Sequence, residues 1–150
     1  MARPSWSSRW RAPEPMLRYL WAAPVSVLGL LCAVAALTAG ARARIHQGVL
    51  EVALSPARRW LCVLGGQGVS AITLGHVIIA AGEAQMQRLR MHELAHVAQY
   101  GRWGPVFLLA YPLESLYQYL RGARPYVDNR FEVAARAADG TNPQRTEADG

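Results

Sequence analysis

The sequence contains no lysine and few charged residues of any kind. All sixteen basic residues of the 150-residue chain are arginine, and charged residues make up only 17% of it. The net charge of +6 would suit an anionic partner. The arginines are scattered, however, and form no basic stripe interleaved with aromatic residues, so no nucleic-acid partner is expected.

Cysteine is almost as scarce, and the sequence has no internal repeat. Cys32 and Cys62 are far from any metal-ligand spacing, and Cys32 lies in an apolar run where a disulfide partner could hardly reach it. The cysteines therefore indicate neither a thiolate metal site nor a redox compartment. The length suits one small domain with an additional anchor or tail.

Charge is absent altogether between Arg18 and Arg42. The uncharged run 19–41, YLWAAPVSVLGLLCAVAALTAGA, is long enough to cross a bilayer core, which needs about 20 residues. We therefore predict a transmembrane or signal-anchor helix over 17–41, with membrane lipid as a partner. A cleaved signal peptide and a buried core helix are the alternatives. Arginines flank both ends, so the positive-inside comparison leaves the orientation open.

The segments on either side of this helix divide the chain further. Residues 1–16 are predicted to be a disordered leader and residues 140–150 a disordered polar tail. The alternation of apolar and polar residues in ARIHQGVLEVAL predicts a β-hairpin around Gln47-Gly48. A short helix is predicted over 57–64, and SAITLGHVIIAAG is predicted to form one strand that ends at Gly82.

Helical patterns dominate the second half of the chain. The first predicted helix covers about 84–100 and ends at Gly101 as a C-terminal cap. The next helical segment, GPVFLLAYPLESLYQYLRG, is apolar and is predicted to be kinked or interrupted at Pro112. It either packs in the core or lies in the membrane interface.

A third helix is predicted to begin at Asp128 or Asn129, both good N-caps, and to end near Ala138. Residues 42–139 are therefore expected to form one domain. The fold class is α+β: a small β-sheet and about three helices behind an N-terminal transmembrane helix.

The stretch MHELAHVAQYG, residues 91–101, holds two of the four histidines. Residues four apart on an α-helix share one face, so His92 and His96 can present both imidazoles to one ion. Glu93 is rotated by about 100° from His92, so it does not bind the ion but can reach a water bound to it. In zinc peptidases with this HExxH arrangement, the metal lowers the pKa of the water and the glutamate moves its proton. A helix with two satisfied histidines is the alternative.

A catalytic zinc needs a third protein ligand. Arg102 stands where the longer metzincin pattern has its third histidine, so that subclass is excluded. The acidic candidates downstream are Glu114, Asp128, Glu132 and Asp139. Glu132 is preferred because it lies in the first turn of a capped helix, which positions a ligand better than a loop does. Glu114, the one acid in an apolar segment, is the second choice.

The HExxH motif followed by a glutamate on a later helix resembles the gluzincin clan of zincin-like metallopeptidases. More closely, HELAHVAQY followed by an N-x-F-E helix, behind one hydrophobic anchor, is similar to small bacterial membrane proteins with a minimal zincin-like domain. The resemblance covers 17–138 in layout and only 72–103 and 125–135 in motif. It implies that His92, His96 and Glu132 bind zinc and that Glu93 is the general base.

The resemblance has further implications for the residues around the metal. Many gluzincins hold a zinc histidine with an aspartate three or four residues after the ligand glutamate, but those positions here are Ala135 and Arg136. Asp139, one turn further on, could take that role. Zincins also pair an extended substrate with an edge strand before the metal helix, and ITLGHVIIA occupies that place.

Three other residues are weaker candidates. His76 is expected to be an ordinary strand histidine, with a role as transition-state donor as the alternative. Tyr126 and Arg130 are close to Glu132 in sequence and are considered as oxyanion stabilisers, although a surface role is favoured.

The resulting functional expectation is a zinc metallopeptidase-like protein anchored in a bacterial inner or plasma membrane. It would hydrolyse peptide bonds of a peptide or protein substrate. The main alternative is a catalytically inactive metal-binding protein with a structural or regulatory role at the membrane. A membrane interaction protein without a metal is a third hypothesis.

Overall fold

The computed structural model describes residues 15–55 and 70–140. Residues 1–14 of the predicted leader, the helix expected over 57–64 and the polar tail after residue 140 lie outside these residues. Residues 15 and 16, which the prediction included in the leader, are helical. Within them the fold is α+β, as predicted, with an N-terminal apolar helix, a four-stranded sheet and three further α-helices.

The N-terminal helix, α1, covers Pro15–Thr38. It is apolar and long enough to cross a membrane, a property that a signal sequence or a core helix would share. One stripe of α1 is buried by the rest of the domain: Ala22, Val25, Gly29, Ala33 and Ala36. Most of its large apolar side chains outside this stripe are exposed.

The sheet is built from two hairpins. Strands β1 (Arg42–His46) and β2 (Val49–Ala53) are antiparallel, and both turn residues, Gln47 and Gly48, have positive φ, as a two-residue type I′ turn requires. This predicted hairpin is confirmed. β2 also pairs in parallel with β4 (Val77–Ala80), whose other neighbour is β3 (Ala71–Leu74). The strand order is therefore β1-β2-β4-β3.

The prediction of one strand in SAITLGHVIIAAG is wrong. The segment forms the antiparallel β3–β4 hairpin, which turns at Gly75 and His76. Gly75 has φ 63°, a left-handed conformation that glycine adopts without the strain of a Cβ atom. His76 is thus a turn residue and not a strand histidine. Its Nδ1 lies 3.3 Å from Ser26 Oγ on α1.

The helix that carries the HExxH motif, α2, covers Glu83–Trp103. It continues past Gly101, so the predicted C-terminal cap there is wrong. Gly101 is helical and packs against Arg18, whereas the helix ends at Gly104 with φ 56°. A Cβ atom on Gly104 would lie 2.5 Å from the Trp21 ring, so glycine is needed at this helix end.

A short 3-10 turn, Gly104–Val106, leads into α3, Phe107–Leu120, which continues through Pro112 without the predicted interruption. Phe107 is the one buried residue of α3. Its other large apolar side chains are mostly exposed, so α3 is not a core helix: Leu108, Leu109, Leu113, Leu116, Tyr117, Tyr119 and Leu120.

The last described helix, α4, covers Arg130–Asp139. Of the two predicted N-caps, Asn129 takes the role, since its side-chain oxygen accepts a hydrogen bond of 2.9 Å from the Phe131 N–H. The Asn129 amide also donates to Tyr111 O on α3 and to Ser115 Oγ. The start of α4 is therefore fixed both by its own cap and by α3.

The sheet lies between α1 and α2. Alternate residues of β4 point to opposite faces, so Val77 and Ile79 pack with the α1 residues Ala33 and Ala36, while Ile78 packs with α2. A separate apolar cluster joins α1 to the end of α2, α3 and α4: Ala22, Val25, Tyr100, Phe107 and Phe131. This cluster fixes the position of α4 relative to the HExxH helix.

Candidate metal centre

Two imidazoles from α2 form the first part of the site. His92 and His96 are one helical turn apart and both are buried. Their Nε2 atoms lie 3.2 Å from each other. The helix therefore directs the same nitrogen of each ring to a common point, as the i, i+4 spacing predicts.

Glu132 completes the group from α4. Its Oε2 lies 3.2 Å from His92 Nε2, and its Oε1 lies 3.2 Å from His96 Nε2. The ligand atoms of all three residues lie within 4.8 Å of one another. The structure thus brings together the three residues predicted from the sequence as metal ligands.

The outer ring nitrogens of both histidines face oxygen atoms. His92 Nδ1 lies 3.2 Å from Asp139 Oδ2, and His96 Nδ1 lies 2.8 Å from Gln99 Oε1. The Gln99 amide nitrogen donates to Phe131 O at 2.9 Å, which turns its oxygen towards His96. With the proton of each neutral imidazole on Nδ1, both of these contacts are hydrogen bonds and the Nε2 lone pairs face Glu132.

This donor set fits a cation. Two ligand atoms on a tetrahedral ion with bonds of 2.0–2.1 Å are about 3.3 Å apart, close to the separations found here. Glu132 Oε2 is buried and accepts no hydrogen bond from the described residues; the nearest cationic side chain is that of Arg136, whose Nη1 lies 3.7 Å away. A carboxylate and two facing lone pairs repel one another unless a positive charge lies between them. The group could therefore hold a metal ion.

The charge on Glu132 is maintained despite its burial. Burial alone would raise the pKa of Glu132, but the facing imidazoles of His92 and His96 lower it well below its ordinary value. Burial also lowers the pKa of His92, and the interaction with Glu132 outweighs this effect and raises it. A proton on His92 can thus supply the positive charge that a metal would otherwise provide, so metal and proton compete for the site.

Glu93, the remaining charged residue of the motif, is buried beside this group but does not belong to it. Its Oε2 accepts a hydrogen bond of 2.6 Å from Thr73 Oγ1 on the edge strand β3. Burial, the charge of Glu132 and, more weakly, the charge of Glu93 raise the pKa of Tyr126. Glu93 therefore lies close enough to influence the site electrostatically without occupying a ligand position.

Of the other predicted candidates, some lie beside the ligand group and some do not. Asp139 reaches His92, as the sequence suggested, and the charge of Glu132 acts on the Tyr126 hydroxyl by raising its pKa. Glu114 does not belong to the ligand group, and its carboxylate lies 3.4 Å from Arg130 Nε. Arg130 is exposed and also lies over the Phe131 ring, as the favoured surface role predicts. His76 lies at the β3–β4 turn, in contact with α1.

Three residues of the site were not predicted from the sequence. Tyr111 donates a hydrogen bond of 2.8 Å to Glu132 Oε1, and Thr73 and Gln99 hold Glu93 and His96. Burial and the charge of Glu132 raise the pKa of Tyr111 far above its usual range, so its hydroxyl stays a donor. Of these three, only the contact of Gln99 could have been predicted, because Gln99 lies one helical turn from His96 and side chains at that spacing are neighbours.

Comparisons with protein-family models, with curated proteins and with solved structures found no match. We therefore infer function from the side chains of the site itself.

Proposed function

We propose that this chain is a membrane-anchored zinc metallopeptidase-like protein with a zincin-like domain of the gluzincin type. The observation that carries the proposal is the convergence of three buried ligand atoms, from His92, His96 and Glu132, beside the buried carboxylate of Glu93. Two imidazoles and one carboxylate are a ligand set used by catalytic zinc in hydrolases, which leaves a fourth position open.

The role of each residue follows from its contacts. A bound zinc would lower the pKa of its water and polarise a substrate carbonyl. Glu93 would accept the proton from the water and deliver it to the leaving nitrogen. The Thr73 hydroxyl would keep the Glu93 carboxylate in one orientation through its hydrogen bond of 2.6 Å. The raised pKa of Tyr126 keeps its hydroxyl protonated, so it could donate to a developing oxyanion.

An extended peptide is the proposed substrate. β3 lies at an edge of the sheet formed by the described strands, and its Thr73 side chain contacts Glu93 directly. A peptide added to the side of β3 that no described strand occupies would therefore run past the carboxylate that moves the proton. Backbone hydrogen bonds of this kind bind a peptide with little dependence on its sequence.

A metal-binding protein without catalytic activity is the second candidate. The three ligand residues are all at least 92% buried, with exposures of 7% for His92, 8% for His96 and 2% for Glu132. Such burial suits a structural or regulatory ion, which needs no access for a substrate. This candidate requires the three ligands but does not require Glu93.

Activity measurements on matched variants distinguish the two candidates. The full chain is purified in detergent, and wild type, Glu93→Gln, His96→Ala and Glu114→Gln are assayed for bound zinc and for cleavage of a peptide library. Glu114→Gln is the control, since this acid lies outside the ligand group. We expect bound zinc in every protein except His96→Ala. We expect peptide cleavage only by the wild type and by Glu114→Gln. Zinc without cleavage in the wild type would favour the inactive protein.

A further inference from the structure

The packing of the apolar helix α1 against the domain limits how this helix can be oriented in a membrane. The buried stripe on α1 has spacings of three, four, four and three residues, from Ala22 to Ala36. Near its start the stripe packs against Tyr100 and Phe107. Near its end it packs against the sheet, at Val52 and Val77. The rest of the domain therefore packs along most of the length of α1 and is not attached only at one end of the helix.

Both hairpin turns dock on the first half of α1. The Tyr19 hydroxyl donates to Gly48 O at 3.2 Å, and the His76 N–H donates to Ser26 Oγ at 3.1 Å. The approach is close, because a Cβ atom on Gly29 would lie 2.7 Å from Leu74 O. The sheet is thus in contact with α1 from the level of residue 19 to that of residue 36.

This packing conflicts with a helix that crosses the bilayer. If α1 stood across the hydrocarbon core, the sheet beside it would enter the core as well. β1, at the edge of the sheet formed by the described strands, would then expose backbone groups to lipid, which membrane proteins avoid. The exposed ion pair between Arg44 and Glu83 would also enter the hydrocarbon core, where exposed charged side chains are strongly disfavoured.

The outward face of α1 nevertheless requires an apolar partner. At about 100° per residue, positions 20, 27, 31 and 38 lie opposite the buried stripe. Leu20, Val27 and Leu31 are all exposed there, and Arg18 is the one charged residue in the whole helix. A continuous apolar face of this length, on a chain with a net charge of +6, suits a bilayer with anionic headgroups.

We propose that α1 lies in the plane of the membrane, with its outward face in the lipid and the sheet on the side towards water. The inference rests on the membrane association proposed above and is independent of the metal and of peptide cleavage. It makes α1 both a wall of the domain core and the surface that binds the bilayer.

Depth measurements along one face of α1 test this orientation. Cys32 and Cys62 are replaced by alanine in the full chain. A nitroxide is then attached through a cysteine introduced singly at Leu20, Val27, Leu31 or Thr38. The chain is reconstituted in vesicles of phosphatidylcholine and phosphatidylglycerol, and collision with oxygen and with a water-soluble nickel chelate reports the depth of each label. An in-plane helix places all four labels at one depth, just below the headgroups.

Two results would overturn the proposal. Deep labels at positions 27 and 31 with shallow labels at 20 and 38 would show a helix that crosses the bilayer. Labels in water at all four positions would show that lipid does not cover this face. Circular dichroism of each variant verifies that the fold is kept. Bound zinc and peptide cleavage are measured on the same samples, so failure of the catalytic proposal is recorded separately from failure of the orientation.

Discussion

Thr73 and Glu93 are joined by a hydrogen bond of 2.6 Å between Oγ1 and Oε2, which connects the edge strand β3 to the glutamate of the HExxH motif. The contact links two parts of the proposed mechanism, the strand that would hold a peptide and the carboxylate that would move a proton. Both groups are buried, so water does not easily replace the bond.

Removing this hydroxyl should reduce turnover without loss of metal. For Thr73→Val we expect kcat to fall by about tenfold to a hundredfold, since a hydrogen bond to a charged group contributes about 1.5–3 kcal/mol. Bound zinc should be unchanged, because among the described residues the Thr73 hydroxyl makes its hydrogen bonds to Glu93 and not to a ligand. Thr73→Ser, which keeps the hydroxyl, should retain most of the activity. Equal losses in the valine and serine variants would contradict the orienting role.

The contact of Asp139 with His92 should determine how tightly the metal binds. Asp139→Ala removes the acceptor that lies 3.2 Å from His92 Nδ1, and we expect zinc affinity to fall by about tenfold to a hundredfold. A competition titration against a fluorescent zinc chelator measures the change. Asp128→Ala is the matched control, because Asp128 pairs with the exposed Arg124 and does not belong to the ligand group. An affinity that is the same in both variants would show that Asp139 does not support His92.

Glu51 should make stability depend on pH. Burial alone would raise the pKa of Glu51, but hydrogen bonds from Arg44 and Arg90 hold it below its ordinary value. A lowered folded-state pKa stabilises the fold fully above the unfolded-state pKa of about 4.3. That contribution is lost as the pH falls through the folded-state value.

For Glu51→Gln we therefore expect a loss of about 2 kcal/mol in the free energy of unfolding at pH 7 and a smaller loss near pH 3, below the unfolded-state pKa. Denaturant titrations of the metal-free chain in detergent measure both values. Glu83→Gln, which alters an exposed pair, should cost less than about 1 kcal/mol. A penalty for Glu51→Gln that does not change with pH would be inconsistent with this ion-pair explanation.

The exposed leucines of α3 should contribute to membrane binding. Leu109, Leu113, Leu116 and Leu120 follow a helical spacing and are all exposed. Replacing Leu113 and Leu116 by glutamine should weaken vesicle binding at least tenfold, since each buried leucine side chain contributes about 1.5–3 kcal/mol. Vesicle flotation measures the effect. Gln118→Ala is the control on another face, and vesicle binding that is unchanged in the double variant would exclude α3 from the lipid contact.

Local patterns in the sequence account for much of the fold and for the ligand group. The i, i+4 spacing alone directs His92 and His96 to one point, and the Asn129 cap places Glu132 in the first turn of its helix. The Gln47-Gly48 turn likewise follows from two residues that tolerate positive φ. In each case the determining interaction joins residues that are close in sequence, so the pattern is visible without a structure.

The remaining features depend on residues that are far apart in sequence. Tyr111 contacts Glu132 only because α3 folds back beside α4, and Thr73 contacts Glu93 only because β3 lies at an edge of the sheet. The β3–β4 turn was missed because apolar residues on both sides of Gly75 gave the appearance of one strand. The buried stripe on α1 could not be predicted either, because almost all residues of this helix are apolar. Its small residues can be identified as a packing face only once the residues that pack against them are known.

Zinc K-edge X-ray absorption of the full chain loaded with one equivalent of zinc tests whether His92, His96 and Glu132 bind the metal. We expect a first shell with two imidazole nitrogens and carboxylate oxygen at about 2.0–2.2 Å. We also expect loss of one imidazole in His96→Ala and an altered oxygen shell in Glu132→Ala, with Glu114→Ala unchanged. A wild-type spectrum that shows no imidazole, or one that is identical in all four proteins, would contradict this set of ligands.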